Sequence, residues 1–457
     1  MTGIIETKIF AEFVGIDGAL VRREILVVRR NADQPHLKDF GLTLEEGKAM
    51  LQRAQAEQTQ FQVEQCGMRD RECPGCERRR AIHDYRTRSI HTLFGICQVR
   101  APRFRSCSCL APHDTVPANR LMTLMAGRTT PELERVQAEL GARLSFREAS
   151  RVLDLFVPAT RPHNHKSVRN RLARVADHIE TKDLSSPHRM SRVGPDPMSV
   201  FIDGAYIRAA PGFQTRHFEI IMGRVETDGR VARHFACAPN ISTRAADVIR
   251  GALRGQGWVP GRDITVFSDG DPALRGIVVG AARQQVTHVL DWFHISMRVR
   301  HIEQAFEGIR QFEPDLKTCL LTSAYCDVPR LRHLLWSGYV DETREALRLM
   351  SYWVRSAASE HTPEINTKLK RFLALIDELA TYLRLNQASV INYCQRYWKG
   401  LPISSSPAES AVNALVNARM NKLRQMRWSP RGAQRVLQVR AAVFDGRLKS
   451  GAFHLAA

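Results

Sequence analysis

The chain has 457 residues, with 67 Lys or Arg and 47 Asp or Glu, so its formal net charge is +20 and its pI is near 10.0. Apolar residues make up 44% of the chain, too many for a disordered protein, and no charge-free apolar run approaches the ~18 residues of a membrane helix. The N-terminus has no basic segment followed by an apolar one, so secretion is not expected. We therefore expect a cytoplasmic, nucleoid-associated protein of several domains, without membrane contact, whose partners are polyanions.

Composition and pattern divide the chain into six expected segments. The first begins with a strand-like stretch and continues as a helix from near Leu42 through Gln62. We interpret this helix as a lead-in or oligomerisation helix, with a plain solvated helix as the alternative. The six segments are the lead-in (1–65), a zinc-ribbon-like DNA-binding module (66–120), a helical region with a linker (121–195), a first core part (196–300), a helical part (301–400), and a last core helix with a basic tail (401–457).

Six of the ten cysteines lie within 44 residues, which in a cytoplasmic protein favours a metal site over disulfides. The Pro-Gly turn between Cys73 and Cys76 directs two thiolates at one ion, and the pair Cys107 and Cys109 can complete a tetrahedral structural Zn²⁺ site. Because the second pair is narrowly spaced, Cys66 or Cys97 remain alternative ligands, and unligated cysteines are the other interpretation. The same segment has ten Arg and no Lys, which suits contact with phosphates.

A helical region begins at Thr130-Pro131, where proline stands at a helix start. Two amphipathic stretches, 144–153 and 165–175, resemble a helix-turn-helix reader of DNA. The alternative is a basic solvated helix over a small bundle. The candidate DNA-contacting side chains on the second helix are Lys166, Arg169, Arg171 and Arg174.

From Met198 onward the pattern changes to strands alternating with helices. The expected order is three strands, a helix, a strand, a helix, a strand and a helix, which is the order of a ribonuclease-H-like fold. In that fold the first and fourth strands are neighbours, so Asp203 and Asp269 would face each other across about 4.8 Å. Two carboxylates this close need a cation between them, and Mg²⁺ is the natural one for oxygen ligands.

The third carboxylate needed for two metal positions is expected to be Glu409. Its alternative role is local, because Ser406 and Glu409 also fit a helix capping box with proline at the first helical position. Asp271 precedes Pro272 and is expected to cap a helix rather than bind metal. Asp291 and His294 follow the last strand, and on residue pattern alone a cap and a packed histidine are open alternatives to a supporting role in the site.

Taken in order, several stretches resemble bacterial insertion-sequence transposases of the DDE type, above all the ISKra group, which is related to the ISL and Mutator-like groups. The stretches are Thr92–Gly95 with the Cys107 and Cys109 pair, Thr129–Glu132, Phe201–Gly204, Ser268–Asp271, Leu290–His294, Ala418–Lys422 and Met426–Ser429. The resemblance implies the catalytic triad Asp203, Asp269 and Glu409. Asp291 and His294 match a signature of related transposases, and residues 301–400 match a helical insertion domain.

The resemblance implies a multi-domain α+β and α/β protein whose ribonuclease-H-like core is interrupted by an all-helical insertion. Such an enzyme binds the terminal inverted repeats and target DNA as a homo-oligomer, and uses two Mg²⁺ or Mn²⁺ ions for strand cleavage and transfer. A basic C-terminal face would grip phosphates, with a solvated face as the alternative. Other functions left open are a non-enzymatic zinc-ribbon regulator and a nuclease without strand transfer. The C-terminal candidates for DNA contact are Arg419, Lys422, Arg424 and Arg427.

Overall fold

The structure is a computed structural model, and its contacts divide the chain into two compact units. The first unit is Met1–His178 with Gly446–Ala457, and the second is Ile179–Asp445. The structure describes residues 3–33, 36–73, 75–109, 128–158, 163–185, 197–238, 244–311, 318–357, 363–406, 410, 413–420 and 426–448.

The first unit begins with a two-stranded antiparallel sheet of β1 (Ile4–Val14) and β2 (Leu20–Asn31). The helix α1 (Leu44–Asp70) follows, and it begins with a capping box in which Thr43 accepts from the Glu46 N–H while the Glu46 carboxylate accepts from the Thr43 N–H. The expected lead-in therefore contains a second strand. Its helix also continues eight residues beyond Gln62, so that Cys66 belongs to the helix.

The antiparallel hairpin β3 (Ile82–Thr92) and β4 (Gly95–Phe104) packs on α1. Gly95 closes the turn with φ +115°, a conformation that favours glycine. A small apolar core forms between the hairpin and the helix from Val63, Ile90, Cys97, Val99 and Ala101.

Three helices follow the hairpin in the chain: α2 (Pro131–Arg143), α3 (Phe146–Phe156) and α4 (His165–Ser185), and the last turns of α4, from Ile179 on, belong to the second unit. Only Leu144 and Ser145 separate α2 from α3, and Ser145 caps α3 in a capping box with Glu148. The tight turn of this region therefore lies one helix earlier than the expected helix-turn-helix, whose two helices correspond to α3 and α4.

The second unit contains a five-stranded mixed sheet. Its strands are β5 (Met198–Arg208), β6 (His217–Glu226), β7 (Arg233–Cys237), β8 (Ile264–Ser268) and β9 (Thr287–Leu290). They stand in the order β7-β6-β5-β8-β9, with the β7-β6-β5 pairs antiparallel and the β5-β8-β9 pairs parallel. The expected element order and the neighbouring first and fourth strands are confirmed.

Side chains alternate between the two faces along each strand, and helices pack against both faces of this sheet. Val200 and Val266 pack against α5 (Ala245–Gly255) and α6 (Pro272–Ala282), while Phe201 and Phe267 stack 4.8 Å apart on the opposite face. That second face is continuous with a large helical core.

The helical core is built by α7 (Trp292–Arg310), α8 (Thr318–Trp336), α9 (Val340–Ala357), α10 (Pro363–Asn386) and α11 (Tyr393–Trp398). The helical character expected for 301–400 is thus observed in its described residues. After a π-helical turn at 413–417, α12 (Pro430–Phe444) packs against β7. Within the described ranges, no helix has both the length and the hydropathy that crossing a bilayer requires.

Candidate functional sites

The four expected cysteine ligands meet at the open end of the β3–β4 hairpin. An antiparallel hairpin returns the chain to its starting point, so the residues before β3 and after β4 lie together. The Sγ atoms of Cys73 and Cys109 are 3.3 Å apart, those of Cys76 and Cys107 are 3.5 Å apart, and all four lie within 4.8 Å of one another. Tetrahedral zinc with Zn–S bonds of about 2.3 Å separates its sulfurs by roughly 3.8 Å, so these four cysteines could bind a metal such as zinc.

Backbone donors favour thiolates in this cluster. The Gly75 N–H, together with other donors, lowers the pKa of the Cys73 thiol to about 6. The Cys109 N–H lowers the pKa of Cys107 in the same way, while hydrogen bonds to its neighbours raise the pKa of Cys109. Thiolates are the form that binds metal, so the chemistry of the donor set fits a cation.

The two alternative ligands lie elsewhere in the described structure. Cys97 is 2% exposed within the core between the hairpin and α1, where the Thr59 hydroxyl contacts its sulfur and burial raises its pKa. Cys66 belongs to α1. Neither is part of the cluster, which among the described residues is the one group of three or more His, Cys, Asp or Glu side chains with metal-binding spacing.

Three aspartates stand at one level of the mixed sheet. The last parallel pair of β5 and β8 is Phe201 with Phe267, so Asp203, two residues further along β5, and Asp269, which follows the end of β8, lie at the same end of neighbouring strands. Ser268 pairs with Leu290, so Asp291, which follows the end of β9, lies at the same end of the third strand. The sheet therefore brings three aspartates to one edge, but their side chains do not have the close spacing of the cysteine cluster.

The electrostatics of Asp203 reflect this row. Burial raises the pKa of the Asp203 carboxyl, and the negative charges of Asp269 and Asp291 raise it further. The Gly204 N–H, which donates to Asp203 Oδ1 over 2.7 Å, and the nearby His294 oppose the rise. A cation at this edge would relieve the repulsion among these carboxylates.

Asp269 is half-buried and held by the turn that follows it. Its Oδ1 accepts from the Asp271 N–H over 3.0 Å, and its carbonyl accepts from the Tyr382 hydroxyl of α10 over 2.7 Å. Gly270 has φ +95°, and a Cβ there would lie 2.8 Å from atoms of Asn386 and Leu290, so this turn requires glycine. Asp271 caps α6 by accepting from the Ala273 N–H, as expected.

Asp291 is fully buried, and its oxygens face protein donors. Oδ1 accepts from the Phe293 N–H over 2.8 Å, which caps α7, and from the Ser405 N–H over 2.9 Å, while the Ser405 hydroxyl donates to Oδ2. His294 Nε2 lies 3.7 Å from Oδ2. Asp291 is therefore both a helix cap and an anchor for the segment that contains Ser405.

The helical core makes further contacts with this edge that the sequence did not indicate. The Tyr393 hydroxyl donates to the Leu290 carbonyl over 2.7 Å. His288 on β9 lies between two hydroxyls, with Ser268 Oγ 2.9 Å from Nε2 and Ser389 Oγ 2.7 Å from Nδ1. Residue spacing carries no signal for such contacts, because the partners are 20 to 103 residues apart in the chain.

Several expected site residues lie outside the described residues: Glu409, Lys422 and Arg424. Arg419 is described and requires a correction. It is fully buried, its guanidinium lies 5.1 Å from the centre of the Trp428 ring, and Nη1 is 2.8 Å from the Met426 sulfur. A side chain in this position packs the interior and cannot contact a phosphate at the surface. Arg427 is exposed, as a DNA-contacting residue must be.

The four expected DNA-contacting residues of α4 fall into two groups. Lys166 and Arg169 are exposed. Arg171 donates to Gln137 of α2, and burial lowers its pKa. Arg174 is half exposed and pairs with Glu134 of α2. The last two side chains thus join α4 to α2, and only the first two are oriented freely toward solvent.

Comparison of this sequence with protein-family models finds no match, and comparison with curated proteins finds none either.

Proposed function

We propose that this protein is a DDE transposase of an insertion sequence, in which Asp203, Asp269 and Glu409 hold two Mg²⁺ or Mn²⁺ ions. The observation that carries the proposal is the parallel pairing of β5 with β8, which brings Asp203 and Asp269 to the same end of neighbouring strands. Carboxylate oxygens are the ligands of hard divalent cations, and burial, together with the negative charge of Asp269, raises the pKa of Asp203.

The strand order supports a ribonuclease-H-like core as the scaffold of this site. Three antiparallel strands followed by two parallel ones, with helices on both faces, is the arrangement that the proposal requires. The helices α7–α11 stand between β9 and the segment that contains Glu409, which is where a helical insertion would lie. In these helices, the hydroxyls of Tyr382 and Tyr393 donate to the carbonyls of Asp269 and Leu290 at the sheet edge that carries the aspartates, called here the carboxylate edge.

The position of Ser405 supports Glu409 as the third ligand. Ser405 is hydrogen-bonded to Asp291, which follows the end of β9 beside β8. Four residues of chain span at most about 14 Å when fully extended and about 6 Å as a helix. This short chain distance between Ser405 and Glu409 is what supports Glu409 as the third ligand in the proposal.

Each residue has a defined role in the proposed reaction. Asp203 and Asp269, with Glu409, would hold the ions, which when bound lower the pKa of a water or a DNA 3′-hydroxyl and stabilise the leaving oxygen. Asp291 keeps the Ser405 segment against the edge, and His294 lies beside it. The reaction is phosphoryl transfer by hydrolysis and then transesterification, which requires no covalent protein intermediate.

The cysteine cluster and the basic surface support DNA as the partner. A structural zinc ribbon, together with the exposed Lys166 and Arg169, would bind the terminal inverted repeats, and a homo-oligomer would hold two ends and the target together at the nucleoid. The cluster does not depend on the carboxylates, so it also favours a second candidate function, a zinc-ribbon regulator that binds DNA without cutting it. A nuclease without strand transfer is the third candidate, and strand-joining products distinguish it from a transposase.

The proposal is tested by strand transfer with DNA from the flanks of the coding region, in Mg²⁺. We expect Asp203→Asn to reduce cleavage and joining by about a thousandfold, since it removes a charge that binds the ions. Asp271→Asn makes the same chemical change two residues from Asp269 and keeps the helix cap, so it should retain activity within a fewfold. Joining that survives Asp203→Asn would overturn the catalytic assignment, and binding without cleavage by the wild type would favour the regulator.

A further inference from the structure

Beyond the carboxylate edge, β5 and β6 continue as a two-stranded arm. Strand β5 pairs with β8 only from Met198 to Phe201, and β6 pairs with β7 only from Ile221 to Val225. The remaining rungs, from Ile202 to Arg208 on β5, pair only with β6 among the described strands. Because Ile221 and Met222 of β6 still pair with β7, the two-stranded arm begins at Ala205, two residues beyond Asp203, and extends away from the five-stranded part of the sheet.

The tip of this arm forms a basic cleft. Arg208, Arg216 and Arg427 line it, together with Pro211, Phe213 and Thr215, and its volume is about 340 Å³. All three arginines are exposed, and none of the described lining residues is acidic. Three guanidinium groups around one cleft repel one another, so an anion bound between them is favoured electrostatically.

Backbone hydrogen bonds fix the segment that contains Arg427 against the end of β5 at this cleft. The Trp428 N–H donates to the Arg208 carbonyl over 2.9 Å, and the Ala210 N–H donates to the Trp428 carbonyl over 2.8 Å. Trp428 itself is 5% exposed. Arg427 is therefore fixed beside the end of β5, although it is more than 200 residues away in the chain.

We propose that this arm-tip cleft is a binding site for the phosphate backbone of double-stranded DNA. A guanidinium group can donate two parallel N–H hydrogen bonds to the oxygens of one phosphate, so a cleft lined by three arginines is suited to phosphate groups. Arg208 lies five residues beyond Asp203 along β5, a separation of about 16 Å. Because successive phosphates of one strand rise by about 3.4 Å, the cleft would grip DNA roughly five nucleotides from the phosphate at Asp203. The binding needs no metal, and only this position relative to the cleaved bond rests on the proposed function.

The test measures binding of the full-length protein to a short DNA duplex of arbitrary sequence, in EDTA, by fluorescence anisotropy over a range of salt concentrations. The variant R208Q/R216Q/R427Q removes three positive charges from the cleft, and the control variant R330Q/K370Q/R371Q removes three positive charges from exposed positions on α8 and α10. We expect the cleft variant to bind at least tenfold more weakly at moderate salt and to lower the salt slope by about two to three, at roughly 0.9 per phosphate contact. The control should change affinity less than threefold.

Equal weakening by the two triple variants would overturn the proposal, because it would show that total charge alone sets the affinity. Unchanged binding by the cleft variant would overturn it as well. Far-ultraviolet circular dichroism and the single variants R208Q and R216Q separate lost binding from lost folding. Failure of the proposed transposase appears differently, as absent strand transfer in the wild type while the difference between the two triple variants persists. Phosphate-ethylation interference then measures the distance of about five nucleotides from the cleaved bond.

Discussion

The cysteine cluster and the carboxylate edge are both assembled from distant residues, but the protein builds them in different ways. The cluster joins residues 36 apart across one hairpin, and all four ligands meet within 4.8 Å. The edge needs three strands, the helices between them and a returning segment, and Ser405 contacts Asp291 across 114 residues. A site made by one hairpin depends on local geometry, whereas the edge depends on the packing of the whole second unit.

The largest effect is expected at the cysteine cluster, whose structure depends only on the hairpin around it. Cys76→Ser removes one of four thiolates, and zinc–thiolate sites of this kind are worth about 10 to 16 kcal/mol of apparent binding free energy in isolated peptides. We expect the wild type to contain one zinc ion per chain and the variant to contain none, as measured by atomic emission, and residues 73–109 of the variant to become sensitive to proteolysis. The second unit should keep its thermal transition.

Cys66→Ser is the matched control for this experiment, because Cys66 belongs to α1 and not to the cluster. It should retain the zinc. Loss of zinc from the Cys66 variant, or full retention by the Cys76 variant, would show that the ligand set differs from the four cysteines of the cluster. A second unit that unfolds together with the hairpin would contradict the contrast between local and distributed construction.

The anchor between Asp291 and Ser405 gives the next largest effect. Asp291→Asn keeps an oxygen for the Phe293 and Ser405 N–H groups but places an NH₂ group where Oδ2 accepts from the Ser405 hydroxyl, and a buried donor left without an acceptor costs about 1 to 3 kcal/mol. We expect a loss of about 1 to 3 kcal/mol in the free energy of unfolding in urea. Strand transfer should fall by about a hundredfold if the proposed function holds, because the Ser405 segment that leads to Glu409 is no longer anchored to Asp291.

Two serine variants isolate the anchor from general stability. Ser405→Ala removes the hydroxyl that donates to Asp291, whereas Ser404→Ala removes a hydroxyl whose described contacts are with Ser406. The first should slow strand transfer more than tenfold while the metal concentration needed for half-maximal rate rises. The second should leave both unchanged, and equal behaviour of the two would remove the positioning role of Asp291.

The two regions also differ in how far the sequence predicts them. The knuckle spacing of Cys73 and Cys76 indicates a metal site directly, since the turn chemistry is local. The level of Asp203 with Asp269 follows from strand order, because neighbouring parallel strands end at one edge of a sheet. The proximity of the four cysteines and the pairing of β5 with β8 are confirmed, whereas the bound metals and the facing of Asp203 with Asp269 stay predictions.

Other features could not be predicted, for physical reasons. The contact of Ser405 with Asp291 depends on tertiary packing that leaves no periodicity in the chain. Arg419 stands among basic residues, and charge alone does not reveal that its guanidinium is buried beside Trp428. The sequence does not indicate the second N-terminal strand, because half of its residues are exposed and its apolar alternation is weak.

The smallest expected effect concerns His288, which joins β8, β9 and the turn after α10 through two serine hydroxyls. Burial lowers its pKa to about 4, the positive charge of Arg275 acts in the same direction, and Asp269 opposes them. The unfolded chain protonates this histidine near pH 6.5, so the unfolded state binds more protons between pH 6.5 and 4. The contribution of neutral His288 to the free energy of unfolding is therefore fully present above pH 6.5 and is lost as the pH falls toward 4.

Urea unfolding at pH 7.5 and pH 5 measures this effect as a loss of about 1 to 2 kcal/mol attributable to His288. His288→Gln should reduce the pH dependence by that amount, and His301→Gln, at an exposed position on α7, should leave it unchanged. Because Ser268 directly precedes Asp269, acid should also lower strand transfer in the wild type before the protein unfolds. An unchanged pH dependence in His288→Gln would mean that this hydrogen-bond network does not hold the end of β8. The carboxylate edge would then depend less on the helices packed against it, and its contrast with the cysteine cluster would be weaker.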